Sequence, residues 1–326
     1  MKKFGWGFIG AGAIANRFMA GLMQVPDAYL AAVSSRTYER ARTFAGKYNA
    51  KVYKSTEELI ADEDVDIVYV ATPHTVHREN TLMAIEMGKP VLCEKPMAPN
   101  AKMVTEMVQA ARKKRVYLME AMWTRFFPAM KKVREWLDEG RIGKVQFVTA
   151  DFGYYEEEDP SKIIFDPNTA GGSLLDVGIY PIAFAFMVFG KKPNRITGLA
   201  DMASTGVDAA MGCTLGFEGG GLALLYSAMN AETPQVAEII GQKGRIVIPQ
   251  FWSPREAHLY IGGELIESFK GDHEGEGYQF EIAAVQEDIR NGRLENELMP
   301  LHESIAIAEV MDELRRQWGL VYPFEK

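Results

Sequence analysis

The first 121 residues alternate between apolar runs and amphipathic patterns, and this alternation limits the possible folds more than any other feature. The apolar runs have the length of strands, and each is followed by a stretch with the spacing of a helix. The runs lie at 6–9, 29–34, 66–71, 91–93 and 116–119, and the helical patterns lie near 13–24, 38–48, 56–61, 76–87 and 101–114. Repeated strand–helix units of this length form right-handed crossovers. We therefore expect an α/β domain over residues 1–122, with a doubly wound parallel sheet covered by helices on both faces.

The pattern changes after Ala121, where strand-like runs follow one another with turn residues between them. Several of these runs alternate apolar and polar residues, which is typical of strands with one solvent-facing side. They lie at 144–154, 193–204, 210–217, 220–229, 235–248 and 256–269, with helices expected near 126–139, 173–189, 278–291 and 302–318. Residues 123–326 are therefore expected to form an α+β domain on a mainly antiparallel open sheet.

Composition excludes several classes of partner. The chain of 326 residues has a net charge of -8 and no basic tract, so neither nucleic acid nor an anionic membrane is an expected partner. Cys93 and Cys213 have no disulfide or metal-ligand spacing, which suits a reducing cytoplasm. The apolar stretch at 178–190 is too short to span a bilayer and contains Pro181, so it predicts a buried helix.

The first 15 residues superficially resemble a secretory signal, with two lysines before an apolar stretch. Cleavage after that stretch would remove the first strand of the alternating pattern. We therefore interpret these residues as part of the folded domain and expect a cytoplasmic protein.

A glycine-rich turn joins the first strand to the first helix. Gly10, Gly12 and Ala15 in GFIGAGAIANRF follow the G-x-G-x-x-G/A pattern. In that pattern the first glycine makes a tight turn, the second lets the backbone approach a pyrophosphate, and the small third residue allows close packing. A glycine turn can serve packing alone, but its place in a full strand–helix series favours a dinucleotide at the helix N-terminus. The expected contacts of this Rossmann-type site include Gly10, Gly12, Ala13 and Ile14.

The end of the second strand indicates which nucleotide binds. NAD-binding domains place an acidic residue about 20 residues after the glycine turn, against the ribose 2′-hydroxyl. This strand ends instead in Ser34, Ser35 and Arg36, and Arg40 follows. Guanidiniums and hydroxyls suit a 2′-phosphate better than a bare ribose, so NADP(H) is favoured over NAD(H). A solvated arginine at a helix start is the alternative interpretation.

Polar residues follow the runs at 66–71, 91–93 and 116–119, at the edge where an open parallel sheet binds its ligands. The residues expected at this cleft, as cofactor or substrate contacts, are Thr72, His74, His77, Glu94, Lys95, Trp123 and Arg125. The two histidines could suggest a metal, but no third ligand has a recognisable spacing, so no metal is expected. Ordinary packing is the alternative for the histidines, the tryptophan and the arginine.

The segment GGSLLDVGIYPIAF carries Asp176 and Tyr180 four residues apart. On a helix this spacing places both side chains on one face. From the spacing alone, a core tyrosine with an aspartate beside it is the alternative.

These motifs together resemble the Gfo/Idh/MocA family of two-domain, nicotinamide-dependent oxidoreductases, which includes glucose–fructose oxidoreductase and inositol dehydrogenase. The resemblance rests on GAGAIA, ATPHTVH, CEKP and GGSLLDVGIY, and it covers essentially the whole chain. LMEAMWTRFFP and GGSLLDVGIYP are most similar to the branch of dihydrodiol dehydrogenase and NADP-dependent D-xylose dehydrogenase. The resemblance implies hydride transfer between a nicotinamide and a hydroxyl or carbonyl carbon of a small sugar, polyol or cyclic diol.

The resemblance also implies roles for Lys95, Asp176 and Tyr180 as the catalytic residues. Lys95 corresponds to the lysine near the reacting oxygen, and Asp176 to an aspartate that orients a substrate hydroxyl or the lysine. Tyr180 stands where many members have an acid–base histidine, which argues against inositol dehydrogenase activity and agrees with the dihydrodiol dehydrogenase branch. A free tyrosine has a pKa of about 10, and a nearby ammonium lowers it, so Lys95 would assist Tyr180 in proton transfer.

The family implies a homodimer or homotetramer, formed through the open face of the second domain's sheet, with the substrate bound by the same domain. At least one transcriptional co-repressor also resembles this two-domain family. A non-catalytic, NAD(P)-sensing regulator is therefore the alternative function, and the presence of Lys95, Asp176 and Tyr180 favours the enzyme.

Overall fold

The computed structural model describes residues 3–326, which divide into two compact units. The first unit extends to Trp123 and also includes His273–Ile305, and the second consists of Thr124–Asp272 and Ala306–Lys326. This division differs from the sequence-based boundary, which assigned every residue after 122 to the second domain.

Long-range contacts inside the first unit explain the difference. The Tyr117 hydroxyl donates a hydrogen bond of 2.9 Å to the Asp288 carboxylate. The Leu118 amide donates to the Leu294 carbonyl at 3.2 Å. Such contacts join residues that are far apart in sequence, and no local pattern predicts them.

The secondary structure of the described chain alternates as expected in the first unit and is strand-rich in the second. In chain order the strands are β1 (Phe4–Ile9), β2 (Ala28–Ser34), β3 (Lys51–Tyr53), β4 (Ile67–Val70), β5 (Val91–Glu94), β6 (Leu118–Ala121), β7 (Val145–Gly153), β8 (Arg195–Met202), β9 (Asp208–Gly216), β10 (Leu222–Ala228), β11 (Ala237–Gly241), β12 (Gly244–Ile248), β13 (Glu256–Ile261) and β14 (Glu264–Lys270). The α-helices are α1 (Ala13–Leu22), α2 (Tyr38–Gly46), α3 (Thr56–Ala61), α4 (His77–Glu86), α5 (Ala101–Lys114), α6 (Pro128–Asp138), α7 (Ile179–Phe189), α8 (Tyr278–Arg290) and α9 (Leu301–Trp318).

The sheet of the first unit has the strand order β3-β2-β1-β4-β5-β6, and all its pairs are parallel. The strands β1, β4, β5 and β6 are buried at every position, as expected where helices cover both faces. The predicted doubly wound parallel sheet is therefore confirmed. The strand order reverses between β1 and β4, and ligands of such sheets bind outside the carboxyl ends of the strands at this reversal.

The second unit contains a mixed sheet in the order β14-β13-β12-β11-β7-β10-β9-β8. Only β7 and β10 pair in parallel among its described strands, so the predicted mainly antiparallel sheet is confirmed. The single run predicted at 256–269 is a hairpin of two strands, β13 and β14. Gly262 and Gly263 make its turn with φ values of +58° and +91°, a conformation that glycine adopts without a steric penalty.

The segment Pro167–Phe189 is long and apolar enough to cross a membrane by length and composition. However, 78% of its most apolar window is buried inside the protein, and a core helix has the same properties. Its second half is α7, which packs against β7 and β10. A helix that is apolar on all sides and covered by its own chain is a core helix, as the sequence predicted.

Candidate active site

The glycine turn lies between β1 and α1, where the strand order reverses. Gly10 has a φ of +114°, and a Cβ there would lie 2.4 Å from the Ala71 carbonyl oxygen, so only glycine fits. Gly12 precedes α1, and a Cβ on it would meet no described atom within 4 Å. Packing therefore accounts for Gly10 but not for Gly12, whereas a pyrophosphate over the helix N-terminus accounts for both. Ala13 and Ile14 form the adjoining first turn, so these residues together fit a dinucleotide.

The segment after β2 carries hydroxyls and guanidiniums but no acid at its start. Ser34 ends the strand and is buried, Ser35 is half-buried, and Arg36 and Arg40 are exposed. Arg42 forms an ion pair within α2. By contrast, the side chains of Arg36 and Arg40 form no hydrogen bond or ion pair with any residue in 3–326. Both guanidiniums are therefore available to an anion.

His77 connects the segments that follow β4 and β5. Its Nε2 lies 2.7 Å from the Thr72 carbonyl oxygen, and its Nδ1 lies 3.0 Å from the Pro96 carbonyl oxygen. The ring is fully buried, and burial lowers its pKa. His77 is therefore placed to support Thr72 and the Lys95–Pro96 segment, where the sequence predicted a cofactor contact. The half-buried His74 ring lies 5.7 Å away, with its plane at 65° to that of His77.

Acidic side chains hold the backbone on both sides of Lys95. Glu94, which ends β5, accepts hydrogen bonds from the Tyr69 hydroxyl at 2.5 Å and from the Lys95 amide at 3.2 Å. Burial raises the pKa of both Glu94 and Tyr69. On the other side, the Met97 amide donates to the Glu120 carboxylate at 2.8 Å. The half-buried Lys95 is thereby fixed at the carboxyl end of the sheet, as the sequence predicted for this strand end.

Trp123 belongs to an aromatic stack in the first unit. Its ring lies parallel to the ring of Tyr278, the first residue of α8, with centroids 4.2 Å apart and planes 5° apart. The Arg17 guanidinium lies 5.9 Å from the Trp123 ring centroid and 5.6 Å from that of Tyr278. Trp123 is therefore fixed by residues that come from α1 and α8.

Asp176 lies in a π-helical turn, Leu174–Gly178, that leads directly into α7. Its Oδ2 accepts a hydrogen bond of 2.6 Å from the Tyr154 hydroxyl. Burial, followed by the charge of Asp176, raises the pKa of Tyr154, so this phenol stays a donor at neutral pH. π-helical turns are rare and occur frequently at functional sites.

Tyr180 lies in the first turn of α7 and packs against an aromatic pair. Its ring centroid is 5.3 Å from that of Phe152, at an interplanar angle of 62°. Phe152 stacks on Trp252, with centroids 4.8 Å apart, and the Trp252 indole N–H donates to the Gln235 side chain at 2.8 Å. The Tyr180 ring is therefore held within an ordered aromatic cluster of the second unit.

Arg125 is buried, and its side chain forms a hydrogen bond to α7, the helix that carries Tyr180. Its Nη2 donates to the Ala183 carbonyl of α7 at 2.8 Å. The Arg134 Nη1 in turn donates to the Arg125 carbonyl at 2.9 Å. Arg125 therefore supports the helix that carries Tyr180, where the sequence predicted a cofactor contact.

Four aromatic residues of these arrangements were not among the predicted site residues. Phe152 and Tyr154 lie at the carboxyl end of β7, and this position at a strand end was a usable signal. Trp252 and Tyr278 approach their partners only through the tertiary fold, so no short-range pattern identifies them.

Comparison with known proteins identifies the family. Residues 4–122 match "Oxidoreductase family, NAD-binding Rossmann fold", and residues 130–247 match "GFO/IDH/MocA C-terminal domain". Trans-1,2-dihydrobenzene-1,2-diol dehydrogenase of Mus musculus is 39% identical over 333 residues, which cover 98% of each chain. The chain belongs to the GFO/IDH/MocA family. It is therefore an oxidoreductase, and the family resemblance predicted from its motifs is confirmed.

Solved structures of two oxidoreductases share the fold of this chain over nearly its whole length. An aldose–aldose oxidoreductase from Caulobacter crescentus, complexed with glycerol, is 26% identical with a TM-score of 0.89, covering 98% of this chain and 100% of its own. A 3-ketoreductase from Actinomadura kijaniata, in complex with NADP and TDP-benzene, is 25% identical with a TM-score of 0.87, covering 97% and 98%. Both relatives are named for oxidation or reduction at hydroxyl or carbonyl groups.

Proposed function

We propose that this protein is an NADP(H)-dependent oxidoreductase that transfers a hydride between the nicotinamide and a hydroxyl or carbonyl carbon of a small sugar, polyol or cyclic diol. The observation that carries the proposal is the presence of three proton-handling groups in a chain with full-length similarity to a diol dehydrogenase. Lys95 follows β5 at the carboxyl edge of the first sheet, and Asp176 and Tyr180 share one helical segment.

The preference for NADP(H) rests on the segment after β2. It has no acid at its start, where a ribose 2′-hydroxyl would be bound, and it carries two exposed guanidiniums, those of Arg36 and Arg40. A 2′-phosphate forms charge-assisted hydrogen bonds with such groups. The 3-ketoreductase of known structure was solved with NADP, which agrees with this choice.

In the proposed mechanism, the chain's own residues move the proton that accompanies hydride transfer. The bound nicotinamide supplies or accepts the hydride. The Tyr180 hydroxyl gives a proton to the substrate oxygen or takes one from it. The Lys95 ammonium stabilises the phenolate and the developing alkoxide, and Asp176 orients a substrate hydroxyl. Acid–base assistance of this kind contributes about 10²- to 10⁴-fold to the rate.

The substrate class is supported by the surroundings of Tyr180 and Asp176. The Phe152–Trp252 pair gives an apolar surface beside Tyr180. Asp176, on the helical segment of Tyr180, and Tyr154, directly after β7, form a hydrogen-bonded polar pair. Binding sites that combine an aromatic surface with a few placed polar groups suit a small ring with hydroxyls on its edge. A cyclic diol or a sugar in its ring form has this character.

The proposal includes a homodimer or homotetramer in the cytoplasm. Leu199 of β8 is 81% exposed, and it shares a row of the sheet with Gly212 and the exposed Tyr226. Phe147 and Leu224 are exposed on neighbouring strands. An apolar sheet surface of this kind suits a second copy of the chain. Both cysteines are buried free thiols, which agrees with a reducing compartment.

A substrate panel with both cofactors tests the function. We expect oxidation of trans-1,2-dihydrobenzene-1,2-diol or of an aldose such as D-xylose, with kcat/KM for NADP⁺ at least about tenfold above that for NAD⁺. Fluorescence titration with NADPH measures cofactor binding separately from turnover. Tight NADPH binding without turnover of any diol, aldose, polyol or corresponding carbonyl compound would instead identify a regulator.

A further inference from the structure

The helical segment that carries Asp176 and Tyr180 begins at a tight turn, which comprises residues 171–174. Gly172 in this turn has a φ of +124°, and a Cβ there would lie 2.2 Å from the Oδ1 atom of Asp208. Glycine is therefore required, and the Asp208 carboxylate lies directly against the backbone of the turn.

Asp208 is fully buried and binds the first residues of the segment. Its Oδ2 accepts hydrogen bonds from the Leu174 amide at 2.6 Å and from the Ser173 hydroxyl at 3.1 Å. The Ser173 Oγ also lies 2.9 Å from the Ser227 Oγ of β10. The start of the π-helical turn is thus connected to two neighbouring strands, β9 and β10.

Tyr322 forms a hydrogen bond to Gly171, at the beginning of the turn, whereas Asp208 binds the residues at its end. Its hydroxyl donates to the Gly171 carbonyl at 2.7 Å, and its ring is fully buried. The Arg315 guanidinium of α9 lies 4.8 Å from the centroid of that ring. Because the Gly171 carbonyl and the Leu174 amide both have fixed partners, the direction in which the helical segment leaves the turn is also fixed.

A buried acid is an unusual way to hold a helix start. In the described part of the chain, Asp208 Oδ1 has no hydrogen-bond partner, and burial raises the pKa of this carboxyl to about 7. Hydrogen bonds from the Leu174 amide and the Ser173 hydroxyl, and to a smaller extent the charge of Arg315, oppose this shift and lower that pKa. The pKa of the neighbouring Tyr322 phenol is raised by burial and by Asp208. An exposed serine or asparagine could accept the same amide hydrogen bond without burying a charge. Partly satisfied buried polar groups are rare, and each calls for an explanation.

We propose that Asp208 is a positioning residue for the reaction, which fixes the Leu174 amide and thereby sets the positions of Asp176 and Tyr180. The proposal rests on the proposed function, since it assigns the proton-handling groups to this segment. Displacing a reacting group by about 1 Å can lower a rate by about 10²-fold, so the support beneath these groups matters for turnover.

The test compares Asp208→Ala with Asp208→Asn in the full-length protein. Alanine removes the acceptor of the Leu174 amide, whereas asparagine keeps an oxygen at that place. We expect Asp208→Ala to lower kcat at least about tenfold and Asp208→Asn to restore it to within about threefold of the parent. The Kd for NADPH should be unchanged in both variants, because the glycine turn and the two arginines lie in the first unit. Asp138→Ala, at the exposed end of α6, is the matched control and should leave kcat unchanged.

Hydrogen–deuterium exchange of the peptide over residues 173–189 gives a second readout that does not need turnover. We expect faster exchange in Asp208→Ala and parent-like exchange in Asp208→Asn.

A folded Asp208→Ala variant with parental kcat and parental exchange would overturn the proposal. If that variant does not fold, Ser173→Ala should still lower kcat about threefold, and an unchanged kcat overturns the proposal. A parent without turnover on the whole substrate panel rejects the proposed function, and the exchange measurement then decides on Asp208 alone.

Discussion

The Tyr154 hydroxyl donates a 2.6 Å hydrogen bond to the Asp176 carboxylate. This contact joins the end of β7 to the π-helical turn that precedes α7. Because the pKa of Tyr154 is raised by burial and by Asp176, the phenol keeps its proton and donates throughout the neutral range. One carboxylate oxygen of Asp176 is thereby engaged, which limits how the carboxylate can turn towards a substrate.

Replacing Tyr154 with phenylalanine removes this donor and keeps the ring. Hydrogen bonds to charged groups contribute about 1.5–3 kcal/mol, so we expect kcat/KM to fall about tenfold or more. The adjacent Tyr155 is 68% exposed, and Tyr155→Phe is a matched control that should keep parental kinetics. Steady-state kinetics of both variants make the comparison, and equal effects at the two positions would refute the role of Tyr154.

Tyr180→Phe tests the proton carrier of the proposed mechanism. The ring and its packing on Phe152 are kept, and only the hydroxyl is lost. We expect turnover to fall about 10²- to 10⁴-fold, since acid–base assistance of that size is removed. NADPH binding should be unchanged, because Tyr180 lies outside the unit with the glycine turn. A loss of less than about tenfold in a folded, NADPH-binding variant contradicts the assignment.

Arg36→Ala and Arg40→Ala test the choice of nucleotide. If these guanidiniums bind the 2′-phosphate, each variant should weaken NADPH binding about tenfold and leave NADH binding unchanged. Arg42→Ala removes a guanidinium of α2 that is already paired with Glu39, so it serves as the control. Fluorescence titration of the parent and of each variant with both nucleotides measures these affinities. Equal losses for NADPH and NADH would show that the arginines do not read the phosphate.

Asp208→Asn should change how stability depends on pH. Burial raises the pKa of Asp208 to about 7, whereas an unfolded aspartate titrates near about 3.9. The folded state therefore binds this proton more tightly than the unfolded state does. The protonated carboxyl makes its full contribution to stability below about pH 4, and this contribution is lost as the pH rises through about 7. An asparagine does not titrate. We therefore expect the free energy of unfolding of the variant, relative to that of the parent, to rise by up to about 4 kcal/mol from pH 4 to pH 8. Urea unfolding at both pH values measures the gain, and a constant difference between variant and parent would contradict the shifted pKa.

Much of the first unit could be predicted because its information is local. The strand ends after β1, β2, β4 and β5 follow from apolar runs that stop at glycine, serine, threonine and lysine. The capping box of Ser55 and Glu58 and the cap of Asn100 on the Met103 amide are local features of the same kind, since each joins residues three apart in sequence. By contrast, β3 (Lys51–Tyr53) was missed because a half-exposed edge strand of three residues has no apolar run.

The contacts that complete the candidate site could not be predicted in the same way. Sequence spacing related Asp176 to Tyr180, but it could not show that Asp176 bonds to Tyr154 or that Tyr180 packs on Phe152. The burial of His77 and its two carbonyl contacts likewise depend on where Pro96 lies in the fold. Residue type and position at a strand end therefore identified the candidate site residues. Tertiary packing determined which of these residues hold other site residues in place.

The return of residues 273–305 to the first unit has a consequence for biosynthesis. Domains usually fold as units, beginning with the one that leaves the ribosome first. Here the amide of Leu118 finds its partner on Leu294, and the hydroxyl of Tyr117 finds its partner on Asp288. The sheet of the first unit therefore gains these contacts to β6 only after residue 294 has been translated.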